Sequence, residues 1–75
     1  MTNEEAKTAF FSRSPVIHRD ITYSYIENII YWLDARDELH ITLKLADKNK
    51  NSYTNADIKD VLLYDYKNQI PSVLS

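Results

Sequence analysis

The side chains of this chain that could do chemistry are few and scattered. His18 and His40 are the only histidines, and no Ser-His-Asp or metal-ligand spacing surrounds either. The best imitation of a ligand set is Asp47-Lys48-Asn49-Lys50-Asn51-Ser52-Tyr53-Thr54, which opens like a calcium loop with oxygen side chains at alternate positions. Its sixth position is Ser52 where the loop needs glycine, and its twelfth is Ile58 where a bidentate glutamate belongs. Two lysines inside it would repel the ion, so it reads as an Asn/Asp-rich β-turn. Asp57 and Asp60 are better explained by capping a turn than by acid/base work. No nucleophile, base and orienting group assemble. The expectation is a non-enzyme with no cofactor and no metal.

The aromatic set is more informative. Tyr23, Tyr25, Tyr31, Trp32, Tyr53, Tyr64 and Tyr66 exceed what so small a core can bury with every hydroxyl satisfied. Leu39, Ile41, Leu43 and Leu45 alternate with His40, Thr42, Lys44 and Ala46, the period-2 pattern of a strand with one buried face. If a hairpin pairs Leu33 with Leu39, Tyr31 faces Ile41 and Ile29 faces Leu43 on the inside. Trp32 then lies beside His40, and Ile30 beside Thr42, on the opposite face. Trp32, Ile30, His40 and Thr42 are therefore the candidate partner-binding residues, because exposed Trp and Tyr anchor interfaces. The alternative is that the N-terminal helix or the C-terminal tail covers that face. A one-residue slip would bury Trp32 outright.

These residues need elements to hold them. Thr2-Asn3-Glu4-Glu5 fits a capping box, and residues 3–11 read as a short helix with Ala6, Ala9 and Phe10 on one stripe. Ser12-Arg13-Ser14-Pro15 ends it. Residues 15–18 are extended, and Arg19-Asp20 turns the chain into the next strand. Ile21 to Asp34 reads as a strand, rich in Ile, Tyr and Trp, with a bulge at Glu27-Asn28 where the core-facing side changes over. Its rival is an α+β layer in which Tyr23 to Leu33 is a helix, since Ile26, Ile29, Ile30 and Leu33 also match helical spacing. Residues 34–38 close the hairpin and 47–51 make the next turn. A strand at 52–56, one helical turn at 57–60 and a last strand at 61–64 follow, then a tail at 65–75 containing Pro71.

Seventy-five residues make a single domain of marginal core size, without cysteine to staple it. The chain contains no glycine, so glycine-rich phosphate loops are excluded and every turn must use other residues. The net charge of −2 comes from interspersed residues without a basic stripe, which demotes nucleic-acid binding. The N-terminus is acidic and polar, and no apolar run approaches a membrane span, so a cytoplasmic location without membrane contact is expected.

The expected fold is mainly β: an SH3-like small barrel of about five short strands with one N-terminal helix docked by Phe10. The chain also resembles the short uncharacterised proteins carried by phages and integrated elements of Gram-positive bacteria. The residues that carry this likeness are Ser14-Pro15-Val16-Ile17, Ile21-Thr22-Tyr23, Ile29-Ile30-Tyr31, Leu45-Ala46-Asp47-Lys48, Asn51-Ser52 and Asp60-Val61-Leu62-Leu63. The pieces fall between residues 2 and 64, and Arg19-Asp20 and Arg36-Asp37 depart from the Asn-Gly-like turns of that pattern. The resemblance implies a bacterial setting and no established activity.

The function expected is a non-enzymatic protein-interaction module, an accessory protein of a phage or mobile element. The alternative is a nucleic-acid-binding small barrel, with Trp32 or tyrosines stacking on bases and Lys44, Lys48 and Lys50 on phosphates. The protein partner is unidentified. A homodimer is a further expectation, because Trp32 and Ile30 on the hairpin, with Val73 and Leu74 in the tail, supply an apolar excess. Either the tail folds back over that face or two chains pair through it, and the polar Lys67-Asn68-Gln69 run with Pro71 favours the dimer.

Overall fold

Thr2 starts the one α-helix among the described residues, α1 (Asn3–Ser12), through a complete capping box: its hydroxyl accepts the Glu5 N–H, and the Glu5 carboxylate accepts the Thr2 N–H. Arg13 ends it in the left-handed region at φ 55°, a place that favours glycine, and Ser14 N–H closes back on the Ala9 carbonyl. A computed structural model describes residues 1–49 and 51–64; Lys50 and the tail residues 65–75, with the expectations placed on them, lie outside the described residues.

Among the described residues six strands follow: β1 (Val16–His18), β2 (Ile21–Tyr23), β3 (Tyr25–Leu33), β4 (Leu39–Ala46), β5 (Tyr53–Asp57) and β6 (Val61–Leu63), with a 3-10 turn at Ile58–Asp60 before β6. The fold is mainly β with one N-terminal helix. Residues 25–33 form one strand, Tyr23 ends the one before it, and the helical alternative for Tyr23 to Leu33 is overturned. Two antiparallel three-stranded sheets form, ordered β2-β1-β6 and β3-β4-β5. Ser24 is the corner between them: Tyr23 pairs with Val16 in the first sheet, and Tyr25 pairs with Ala46 in the second. Its N–H donates to the Ala46 carbonyl and its hydroxyl to the Asp47 carbonyl. Counting β2 and β3 as one bent strand gives five strands in the order of an SH3-like barrel, with β5 and β6 not laddered to one another among the described residues.

Two turns make do without glycine. The two residues between His18 and Ile21 are Arg19 at φ 52° and Asp20 at φ 65°, both left-handed, as a tight primed hairpin turn requires. Asp37 at φ 62° takes the same role in the β3–β4 loop. The predicted bulge is present: the register shifts between Ile26 and Asn28, leaving Glu27 as the extra residue. Its effect is parity. Without it Ile29 would point away from Ile26; with it, Ile26, Ile29, Tyr31 and Leu33 share the inner face.

The core is built from Val16, Tyr23, Ile26, Leu43, Leu45, Ala56 and Val61, closed by Ala6 and Ala9 of α1. The helix docks through these two buried alanines together with Phe10, which packs partly buried against the core as expected, while Phe11 is exposed. Small side chains let the helix lie close along β3. His18 is also buried, and its Nδ1–H donates to the Asp60 carbonyl at 3.2 Å, tying β1 to the turn before β6. A carbonyl can only accept, so this contact places the proton on Nδ1.

Candidate functional site: the arm of the β3–β4 hairpin

The hairpin pairs in the register that the alternation requires: Leu33 with Leu39, Trp32 with His40, Tyr31 with Ile41, Ile30 with Thr42 and Ile29 with Leu43. The strands outrun the core. On the inner face Leu43 is fully buried, Ile29 and Ile41 are half-buried, Tyr31 is 47% exposed, and Leu33 and Leu39 are 61% and 60% exposed. Sequence placed Tyr31 inside, and the pairing agrees, but there is little core left there for it to enter. Its hydroxyl instead donates to Asn3 Oδ1 at 2.7 Å, at the start of α1. Beyond that point the hairpin is a two-stranded arm.

On the outer face the four candidate residues come together. Trp32 is 45% exposed and yet fixed. Its indole Nε1–H donates to Thr42 Oγ1 at 2.9 Å, and the His40 ring stacks on it at 4.5 Å between centroids and 21° between planes. His40 Nε2 lies 2.7 Å from Asp34 Oδ2. An ionised carboxylate only accepts, so Nε2 carries the proton. Asp34 Oδ1 accepts the backbone N–H groups of Arg36 (2.7 Å) and Glu38 (3.1 Å), which folds the loop over the carboxylate. These donors, His40 first and the two amides after it, hold the Asp34 carboxyl below the ordinary carboxylate value. Ile30, beside Thr42, completes the patch and is more than a third exposed.

Neither α1 nor another described element covers Trp32, since α1 meets the arm from the side of Tyr31. Asp34 is the residue that sequence reading missed as part of the site. The signal was available: on a period-2 strand Trp32 and Asp34 share a face, and His40 lies opposite Trp32 on that same face.

Asp34, Glu38 and His40 present ligand-type atoms within 4.8 Å of one another. A cation there would compete with protein donors for both Asp34 oxygens and for His40 Nε2, the same contacts that fold the loop. The geometry is that of a clamp on the arm's end. The Asp47 carboxylate is likewise spent on its turn, accepting the Asn51 N–H and the Ser52 hydroxyl, as the β-turn reading of that loop requires.

Farther down the same sheet face Lys44 Nζ sits 4.6 Å from the centre of the Tyr53 ring. Comparisons of the chain with family models, curated proteins and solved structures give no match. No helix among the described residues is long and apolar enough to cross a membrane.

Proposed function

We propose that this chain is a non-enzymatic protein-interaction module that grips a protein partner with the outer face of the β3–β4 arm, Trp32 and Ile30 being the anchors. The observation that carries this reading is an exposed tryptophan held rigid. Three side chains, Thr42, His40 and Asp34, and two loop amides act in series to fix one indole whose surface is still nearly half in water. The loop is also closed by its own backbone, through the Asp34 N–H on the Glu38 carbonyl and the Asp37 N–H on the Asp34 carbonyl. Pinning an exposed Trp32 adds little to folding, whereas it removes ordering entropy from a later contact. Thr42, His40 and Asp34 around it make the mixed polar surround of a contact that forms and separates. The setting, an accessory protein of a bacterial phage or mobile element, rests on the motif resemblance alone.

The nucleic-acid alternative has less support. Lys44 is engaged with Tyr53, one face of Trp32 is already stacked by His40, and Asp34 brings negative charge to the same surface. The test is a photo-crosslinker at Ile30, with Trp32→Ala as the control, in a host lysate. One discrete crosslinked protein that disappears with Trp32→Ala supports the reading; identical labelling with and without Trp32 overturns it. An anisotropy titration with single- and double-stranded DNA and RNA at two salt concentrations reads the alternative directly. Salt-dependent binding at micromolar protein would put the alternative first.

A further inference from the structure

We propose that the opposite, inner face of the arm, formed by Tyr31, Leu33, Leu39 and the outer part of Ile41, is the contact surface for a second copy of this chain. The proposal uses a different face from the partner site above and stands independently of it. Sequence placed a dimer on Trp32 and Ile30, but the inner face is the more core-like of the two. It continues the core row by row, from Ile26 and Leu45 through Ile29 and Leu43 to Tyr31 and Ile41, then Leu33 and Leu39. Every side chain in those rows is aliphatic or aromatic. On the outer face the β4 residues of the arm are His40, Thr42 and Lys44, a polar member in each row. Fully apolar strips characterise contacts between identical chains, and mixed ones characterise contacts that come and go.

A two-fold axis lays this strip against itself, and nothing in it objects. It carries no charge that would meet its own copy. With the two arms antiparallel, the tips also stay apart, each carrying Asp34, Asp37 and Glu38 against a single Arg36. The helix leaves room, because α1 reaches the arm only as far as the Asn3 contact with Tyr31. The area is sufficient for a weak dimer. About half of three side chains of roughly 200 Å² each is about 300 Å² per chain. The two-chain total of about 600 Å², with a further share from Ile41, falls below the roughly 1,000 Å² of a stable specific contact and within the range of a weak one. The dimer is therefore expected to depend on concentration in the micromolar range.

Sedimentation equilibrium of the full chain, from low to high micromolar, tests this. The average mass should climb from 8.8 kDa toward twice that value. Leu39→Lys should weaken the association by about tenfold or more, since it places like charges across the axis. Trp32→Ala should leave the mass curve unchanged. Leu39 is mostly exposed, so the variant should keep its circular-dichroism spectrum. Intermolecular NOEs from the Leu33 and Leu39 methyls, in a mixture of labelled and unlabelled wild type, give the same answer without a substitution. A monomer at high micromolar overturns the proposal, as does an association lost with Trp32→Ala and kept with Leu39→Lys. Intramolecular NOEs from those methyls to residues 65–75 overturn it too, by assigning the face to the chain's own tail. The crosslinking result at Ile30 is read from the other face and can fail or succeed separately.

Discussion

At the base of the β3–β4 hairpin Ile26, Leu43 and Leu45 are wholly buried, whereas near its tip Leu33 and Leu39 are mostly in water. Both ends follow the same alternation and use the same residue types, and the ladder runs through both. The base has α1, β1 and β6 around it; among the described residues the tip has nothing beyond the Asn3–Tyr31 contact. Burial is thus set by how far the strands run, and pattern alone does not report it. The base is where the buried apolar surface lies, and the arm is where apolar surface stays exposed.

The largest expected effect sharpens this contrast directly. Leu43→Ala should destabilise by about 2–5 kcal/mol through lost burial and a cavity, whereas Leu39→Ala in the monomer should cost about 0.5 kcal/mol or less. Urea melts at low micromolar protein compare the two; equal costs would mean that the arm is packed after all. Next in size, Ala6→Leu should cost about 1–3 kcal/mol, because a larger side chain pushes α1 off β3. The same urea series reads it, with α1 helicity followed by circular dichroism.

Arg19→Asn with Asp20→Gly should stabilise the fold by about 1 kcal/mol, by relieving two left-handed residues in the β1–β2 turn. A gain in melting temperature with an unchanged crosslinking pattern would show that this end of the molecule is separate from the arm.

The smallest effects are local to the arm and test its clamp. Asp34 has its folded-state value depressed, so its contribution is fully present above the ordinary carboxylate range. It is lost as the pH falls through the depressed value. Acidification from about pH 5 downward should therefore release the Arg36 and Glu38 amides, and free the Trp32 indole, before the base unfolds. Amide exchange and tryptophan anisotropy follow this order; simultaneous loss at both ends would break the comparison. Thr42→Val should raise Trp32 mobility while changing global stability by about 0.5 kcal/mol or less.

Much of this was legible in local pattern. The capping box at Thr2 and Glu5, the hairpin register from Leu33 with Leu39 down to Ile29 with Leu43, and the turns at 19–20 and 47–51 each depend on neighbours a few residues away. So does the bulge, because Ile26 and Ile29 can share a face only if one residue is added between them. Strand against helix over 23–33 was a closer contest, decided by β-branched and aromatic content and by the partner that β4 offers. The candidate patch was legible for the same reason as the register, since alternation places Trp32, Ile30, His40 and Thr42 on one side.

What only the tertiary structure decided are quantities that depend on distance from the core. Ala6 and Ala9, short side chains with little hydrophobic weight, became the buried part of the helix contact because they allow the closest approach to β3, with Phe10 partly buried beside them and Phe11 in water. His18 became buried because β6 and the turn before it close over β1 from 42 residues away, supplying the Asp60 carbonyl. Tyr31, Leu33 and Leu39 carry an inward-facing pattern and yet stay exposed, because α1 is ten residues long and stops short of the arm's end. Periodicity determines which way a side chain points, through backbone geometry that every strand shares. What it points at is set by the lengths and docking of elements distant in sequence, and those are fixed only when the whole chain packs.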